Sequence, residues 1–337
     1  MLPRAFVVLA AIVFAIPLTI DTRPASAQAP KKLASVVFIG PASDQDANTL
    51  AGIALFRQTL AEAGHAEGKT LRLDVRYLAG RFDRLPDVLT DSVGRNADVI
   101  VVVGTMAAIA AKGATRTIPV VSVAVGDPVE AGIISSLDRP GGNMTGTTWN
   151  ASPEDHAKML QLLREAVPTV RTVANIYGKA DAIELAMNPV SLALDRAAAS
   201  LGIVIQRHAV ETQNDLHREL GVIGRNSPHA LVVSGSPVTY SYRKMIADFA
   251  LRNRLPSIHQ FREAVIDGAL LSYGPSLREH MQRSAIYVDK ILRGARPADL
   301  PVEQPSRFDM VVNSNTAKAL GLTIPPSLLL RADQVIE

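Results

Sequence analysis

Apolar stretches of strand length alternate with amphipathic stretches along the chain. Residues 97–103 and 118–125 are apolar with few exceptions and rich in β-branched side chains. Strands of this kind are typical of parallel sheets that are covered on both faces. Between them, residues 106–112 are mostly small, which favours a helix. The pattern therefore predicts a buried strand, a helix and a second buried strand.

The same alternation is found again in the later half of the chain. Strands are predicted at 172–177, 203–209 and 230–235, with helices between them. Residues 152–154 (Ser-Pro-Glu) mark the beginning of the helix that opens this half, because serine favours the cap and proline the first turn. Two units of similar size predict an α/β fold with two open sheets and a cleft between them.

Each of the two apolar strands in the first half ends in a polar turn that contains glycine. These turns are 104–106 (Gly-Thr-Met) and 126–128 (Gly-Asp-Pro). In open parallel sheets, small ligands bind beyond the carboxyl ends of the strands. The sequence therefore predicts that the two turns lie side by side at a small-molecule site, and neither turn contains a catalytic group.

Asp127 and Thr105 carry the chemistry that this site needs for a zwitterion or a carboxylate. Asp127 would balance a ligand ammonium through a charge-assisted bond, or it would cap a helix predicted after Pro128. Thr105, with the backbone amides from Met106 onward, would bind a carboxylate at a helix N-terminus, or Thr105 would simply cap that helix. Both interpretations stay open for each residue.

Aromatic residues make up only 4% of the chain, so those near predicted strand ends are candidates for ligand contact. The single tryptophan would stack on a flat ligand or anchor a hinge, and two tyrosines would line the site or pack in the core. Serines in the polar turns would bind a ligand or only their own turn. The complete set of candidate ligand-binding residues is Ser43, Thr105, Met106, Asp127, Trp149, Tyr177, Ser234, Ser236 and Tyr273.

Motifs for catalysis, metal binding and cofactor binding are incomplete. Residues 64–70 resemble a phosphate-binding loop, but Ala63 stands where its first glycine is required, and a helix precedes the segment instead of a strand. The seven histidines are scattered without metal-ligand spacing, and no nucleophile motif is found. Basic residues are spread along the chain rather than clustered with aromatics. We expect no catalytic residue, no metal, no cofactor and no nucleic-acid partner.

The first 27 residues are predicted to be a secretory signal peptide. Arg4 precedes an apolar run at 5–20, and residues 25–27 (Ala-Ser-Ala) fit a cleavage site after Ala27. The alternative is an uncleaved membrane anchor, but the run is shorter than the roughly 20 residues that span a bilayer. The chain contains no cysteine, which excludes disulfides and a lipid-anchored lipoprotein. The expected location is the periplasm, as a soluble protein.

Several segments that cover nearly all of the mature chain carry a resemblance to a known family. They are 80–86, 97–111, 118–146, 271–275, 287–294, 301–305 and 316–325. In this order they resemble the substrate-binding proteins of bacterial ABC transporters, in particular the group with tryptophan- and tyrosine-binding members. The turns at 177–179 and 234–237 depart from the family pattern, and the identity of the ligand stays open.

The resemblance implies the type I periplasmic-binding-protein fold, in which two Rossmann-like lobes with parallel sheets are joined by a three-segment hinge and close on a ligand. The predicted lobes are 28–148 with about 272–294, and 149–271 with about 295–337. The resemblance also implies a monomer that delivers its ligand to a membrane permease powered by a separate ATPase.

The expected function is therefore that of the periplasmic solute-binding component of an ABC importer, with an amino acid or a related carboxylate as ligand. An alternative is a periplasmic sensor that presents its ligand to a membrane receptor or kinase. A third possibility, an exported α/β enzyme, is disfavoured because the sequence offers no set of catalytic residues.

Overall fold

The computed structural model describes residues 33–150, 152, 154–179 and 189–337. The predicted signal peptide lies outside these residues. Within the described part of the chain, no helix is both long enough and apolar enough to cross a membrane.

A five-stranded parallel sheet, called here the first sheet, is formed by the early part of the chain in the order β2-β1-β3-β4-β5. Its strands carry apolar side chains on both faces, and helices cover both faces, as the sequence pattern predicts. The strands are β1 (Ala34–Gly40), β2 (Leu71–Tyr77), β3 (Val99–Val103), β4 (Val120–Val125) and β5 (Met144–Thr148). Helices α1 (Ala47–Glu62), α2 (Leu85–Gly94) and α3 (Thr105–Ala114) connect them, with a short 3-10 helix at Phe82–Arg84.

A second sheet of seven strands follows, in the order β12-β11-β10-β9-β8-β6-β7. Its strand pairs are parallel except for β10 and β11, which are antiparallel. The strands are β6 (Thr172–Gly178), β7 (Val204–Val210), β8 (Ala230–Val233), β9 (Ser257–His259), β10 (Leu271–Pro275), β11 (Phe308–Asn313) and β12 (Gln334–Ile336). Two sheets of mainly parallel strands with helices on both sides confirm the predicted α/β class.

The helices of the later part of the chain differ in length and in which sheet they cover. Most belong to the second sheet, whereas α10 packs on the first sheet through Tyr287 and Val288. They are α4 (Glu154–Ala166), α5 (Pro189–Leu201), α6 (Gln213–Asn226), α7 (Pro237–Ser241), α8 (Arg243–Arg252), α9 (Arg262–Ile266), α10 (Leu277–Leu292), α11 (Ser314–Leu320) and α12 (Pro326–Arg331), with a 3-10 helix at Pro297–Asp299.

The chain passes between the two sheets three times, after β5, between β10 and α10, and between α10 and β11. The third passage is fixed at Glu303, whose backbone exchanges hydrogen bonds with Gly146 and Thr148 at the end of β5. The segment 272–294, predicted to belong with the first lobe, is divided by the second passage. Its helix α10 covers the first sheet, but β10 belongs to the second sheet because its backbone pairs with β9 and β11. The exact lobe boundaries stay a prediction.

Residues after Pro128 differ from the expected helix. They form consecutive turns at 128–132. The side chain of Asp127 accepts hydrogen bonds from the amides of Val129 and Glu130 in these turns, both at 3.0 Å. This arrangement stabilises a compact turn, and Gly132, with a φ of 64°, lies at its end.

Candidate functional site

A cavity of about 530 Å³ lies between the two sheets, at the carboxyl ends of their strands. The first sheet contributes residues that follow β1, β3, β4 and β5, and the second sheet contributes residues at the ends of β6, β8 and β9. The predicted place for a ligand, beyond the carboxyl ends of parallel strands, is thus where this cavity is found.

Six of the nine candidate residues line this cavity, and they come from both sheets. They are Thr105, Asp127, Trp149, Tyr177, Ser234 and Ser236. Ser43, Met106 and Tyr273 are not among the lining residues. The Ser43 hydroxyl accepts a bond from the Gln45 amide in its own turn, and Tyr273 stacks on Phe308 with ring centroids 5.5 Å apart. A role in binding stays a prediction for all nine.

The turns after β3 and β4 lie side by side, as the sequence predicts. The buried hydroxyl of Thr105 accepts a hydrogen bond from the Gly126 amide at 3.0 Å, which joins the two turns. Helix α3 begins at Thr105 without a side-chain cap, since Gly104 is the residue before it. Asp127 is exposed at the cavity edge, and it caps the segment after Pro128 through the amides of Val129 and Glu130, although this segment forms turns and not the predicted helix.

Three aromatic rings form the apolar wall of the cavity. Phe261 packs between Trp149 and Tyr240, with centroid distances of 4.8 Å and 5.0 Å. Trp149 is only 5% exposed, and its Nε1 has no hydrogen-bond partner among the described residues. A Cβ added at Gly235 would lie 2.6 Å from that nitrogen, so glycine is what allows the backbone after β8 to approach the indole.

Glu263 and His156 are ionisable residues of the cavity that are not among the sequence candidates. Glu263 lies in the first turn of α9, where burial raises the pKa of its carboxyl despite the opposing charges of Arg243 and Arg262. His156 lies in the first turn of α4, and complete burial lowers the pKa of its imidazole to about 4. The ring is therefore neutral at pH 7, and its Nδ1 has no partner among the described residues.

The signal that points to Glu263 is the end of β9. Gln260, Phe261 and Glu263 follow this short strand and all line the cavity, so the rule that ligands bind beyond the carboxyl ends of parallel strands applies to them as well. No comparable pattern marks His156, because a single histidine in an amphipathic helix is an ordinary core residue.

An ion-pair cluster joins the two sheets beside the cavity. Arg243 of α8 is 4% exposed, and its guanidinium pairs with Asp46 at the N-terminus of α1 and with Asp267, 2.9 Å away. Burial raises the pKa of Asp46, but hydrogen bonds from Arg243 and Thr49 and the charge of Arg243 outweigh it, so the pKa is lowered. The guanidinium carbon also lies 4.5 Å from the centre of the Tyr240 ring.

Other close contacts between the sheets surround this cluster. A Cβ at Gly104 would clash with the ring of Pro237, and one at Gly80 would clash with the hydroxyl of Tyr242. Ser241 donates a hydrogen bond to the carbonyl of Pro41 at 3.2 Å. The elements around the cavity therefore touch directly. Among the described residues, no group of three or more acidic, histidine or cysteine side chains is arranged to hold a metal ion.

Comparison with known proteins places this architecture in a family. The ABC transporter substrate binding protein family matches residues 39–336, which confirms the resemblance seen in the sequence. A protein of Clostridioides difficile named tyrosine-binding protein is 25% identical over 268 residues, which cover 79% of this chain and 75% of that protein.

Two solved structures share the fold over 90% of this chain and 100% of their own. One is a conserved domain protein of Vibrio cholerae, with 27% identity and a TM-score of 0.77. The other is a Streptococcus pneumoniae ABC domain in complex with L-Trp, with 24% identity and a TM-score of 0.78. These neighbours confirm the fold class that the resemblance implies.

Proposed function

Because the chain belongs to the family of ABC transporter substrate-binding proteins, we propose that it captures an amino acid with a flat, aromatic side chain between its two lobes. The observation that carries the proposal is the cavity of about 530 Å³ that combines an aromatic wall with hydrogen-bonding groups from both sheets. Its size is within the range of about 300–1,000 Å³ that is usual for small-molecule sites.

The lining of the cavity supports an aromatic ligand with polar ends. Trp149, Phe261 and Tyr177 offer flat apolar surfaces, on which an aromatic ring packs well. The hydroxyls of Ser234 and Ser236 lie at the second sheet, opposite the turns that contain Thr105 and Asp127. The names of the relatives, a tyrosine-binding protein and an L-Trp complex, agree with this class of ligand.

The proposal includes the cellular role of the protein. After removal of the signal peptide, the protein would act in the periplasm as a monomer and deliver its ligand to a membrane permease that is driven by a separate ATPase. The support is the family and the leader sequence with its Ala25-Ser26-Ala27 site. N-terminal sequencing of the periplasmic fraction should give a chain that begins at Gln28. An intact Met1 in the membrane fraction would contradict this part.

The ligand class is tested by direct binding. The mature protein is purified from its own periplasm, examined by native mass spectrometry for a retained small molecule, and then titrated calorimetrically with each of the common L-amino acids. We expect saturable binding of L-tryptophan, L-tyrosine or both, and weaker or no binding of small aliphatic amino acids. The absence of binding by every aromatic amino acid would refute the proposed ligand class.

A further inference from the structure

We propose that Glu263 is the carboxylate that binds the cationic amine of the ligand. This assignment rests on the proposed function, since it concerns the amino group of an amino acid held in the same cavity. The sequence predicts Asp127 for this role, but Asp127 and Glu263 differ in their exposure and in their hydrogen bonds.

Glu263 lies at a position in the cavity that favours a bound cation. It lines the cavity two residues after Phe261, whose ring packs against Trp149 and Tyr240. The faces of aromatic rings attract cations, and a carboxylate beside such rings adds a direct charge-assisted hydrogen bond. An amine held by Glu263 would therefore place the rest of an aromatic ligand against the same apolar wall.

The cations near Glu263 are already engaged elsewhere. The guanidinium of Arg243 pairs with Asp46 and Asp267, and Arg262 donates to the side-chain amide of Gln334 at 2.5 Å. Among the described residues, none forms an ion pair or a side-chain hydrogen bond with Glu263. Removing a carboxylate from water without a counter-ion is unfavourable, and a ligand ammonium would relieve that cost.

The surroundings of Asp127 are different. Its side chain is exposed, and one carboxylate oxygen already accepts two backbone amides, at 3.0 Å each, within its own turn. A charge pair in contact with water contributes little. The turn explains the presence of Asp127 without a ligand, whereas the carboxyl of Glu263 has only its own backbone amide as a hydrogen-bond partner and no cationic side chain pairs with it among the described residues.

The test uses two probes that differ in the amine. L-tryptophan and indole-3-propionate share the ring and the carboxylate, but only the first carries the ammonium. Both are titrated into wild type, Glu263→Gln, the rival variant Asp127→Asn, and Glu130→Gln as a control at an exposed acid outside the cavity. Glu263→Gln keeps the size of the side chain and removes its charge.

We expect wild type to bind L-tryptophan about 10- to 100-fold more tightly than indole-3-propionate. Glu263→Gln should abolish that preference by weakening L-tryptophan alone, and Glu130→Gln should keep it. Loss of the preference in Asp127→Asn with retention in Glu263→Gln overturns the inference. Equal affinity of wild type for both probes overturns it as well but leaves the proposed ligand class standing. Binding of neither probe, nor of any aromatic amino acid, overturns both.

If the Glu263→Gln variant does not fold, a second measurement on wild type alone tests the same assignment. A cation that binds the ionised form of Glu263 displaces protons from the fraction that is protonated. Calorimetry of L-tryptophan binding in two buffers of different ionisation enthalpy, near neutral pH where the carboxylates of both probes are ionised, should therefore detect proton release that indole-3-propionate does not cause. The charged and titratable groups that act on Glu263 are Asp46, Tyr240, Arg243 and Arg262. Equal proton release by the two probes would contradict the assignment.

Discussion

At the scale of single residues, the carboxyl of Glu263 makes the stability of the ligand-free protein depend on pH. Burial raises the pKa of this carboxyl in the folded state. A folded state with the higher pKa binds a proton more tightly than the unfolded chain does. The free energy of unfolding therefore decreases as the pH rises through the folded-state pKa, and the loss is absent below the pKa of the unfolded chain.

Replacement of Glu263 by glutamine should remove this pH-dependent loss. We expect Glu263→Gln to unfold at a higher temperature than wild type at pH 8 and at a similar temperature near the unfolded-state pKa of about 4. Thermal unfolding without ligand, followed by circular dichroism across this range, measures the difference. The exposed acid Glu130 provides a control, since Glu130→Gln should follow wild type at every pH. A Glu263→Gln protein that is less stable than wild type at pH 8 would contradict the role of burial.

The residues of the site differ in how far a sequence can reveal them. Thr105 directly follows an apolar strand, so the rule that ligands bind beyond the carboxyl ends of parallel strands identifies it. Glu263 follows β9, which has only three residues, and the charges of Asp46 and Arg243 that act on it come from elsewhere in the chain. His156 is buried because α4 packs on the second sheet, and no local pattern reports such a contact.

At the scale of elements, the approach of α7 to the turn after β3 depends on one glycine. Gly104 has a φ of 87°, and a Cβ at this position would clash with the ring of Pro237 in the first turn of α7. The two residues come from different sheets, and both line the cavity. A side chain at position 104 would therefore hold the two elements apart where the cavity closes.

Gly104→Ala should weaken ligand binding more than it weakens the fold. The backbone strain of alanine at positive φ is of order 1–3 kcal/mol, and Gly132→Ala, at a φ of 64° with open space around its Cβ, is a control for such strain without a clash. We expect both variants to lose thermal stability, and a loss of L-tryptophan affinity of about tenfold or more only in Gly104→Ala. Equal affinities in the two variants would show that this contact does not limit closure.

The elements themselves were predictable where their pattern is long and regular. Strands β1, β3 and β4 follow from apolar runs, whereas α7 and α9 have five residues each, too few for a helical period to be read. The turns after Pro128 were expected to be a helix, because an acidic residue before a proline fits a helix start as well as it fits a turn. In the structure, the local bonds that Asp127 accepts from Val129 and Glu130, with the positive φ of Gly132, accompany the turns.

At the scale of the whole molecule, two parallel sheets with a cleft were predictable, but the contacts across the cleft were not. The division of the chain into two βα units gave the number of sheets. β11 pairs antiparallel with β10, and Asp46 pairs with Arg243, so both contacts join segments that are far apart in sequence. Local sequence patterns carry no information about such contacts. The ion pair is nevertheless one of the contacts that connect the first sheet to the second beside the cavity.

Asp46→Asn should loosen this connection while leaving α1 intact. Asparagine is as good an N-cap as aspartate, so the bond that Asp46 accepts from the Thr49 amide, at 2.7 Å, has a replacement. The variant loses the charge that faces Arg243, and we expect about tenfold weaker binding of L-tryptophan at pH 7. Asp44→Asn, at an exposed acid in the same turn, should bind as wild type does.

The sign of the pH effect provides a second check on this pair. The pKa of Asp46 is lowered in the folded protein, so its stabilising contribution is complete above the ordinary value of 3.8 and is lost as the pH falls through the lower folded-state value. Wild-type affinity should therefore approach that of Asp46→Asn only in strong acid. Convergence of the two affinities already at pH 6 would contradict a role for the Asp46 charge.

Closure of the two lobes on a ligand should be visible through Trp149. Trp149 lines the cavity at the first passage of the chain between the sheets, and in this arrangement it is 5% exposed. Separation of the lobes would expose the indole, since Phe261 on the second sheet covers one side of it. Hinge motions need only a few residues to change their backbone angles.

Because Trp149 is the only tryptophan, its fluorescence reports on this one place. We expect saturating L-tyrosine, whose own emission is avoided by excitation at the red edge, to shift the emission of Trp149 and to reduce its quenching by acrylamide, while small-angle scattering shows a smaller radius of gyration. Asp46→Asn should need more ligand for the same changes. Tight binding that leaves the fluorescence and the radius of gyration unchanged would contradict hinge closure and favour a rigid scaffold.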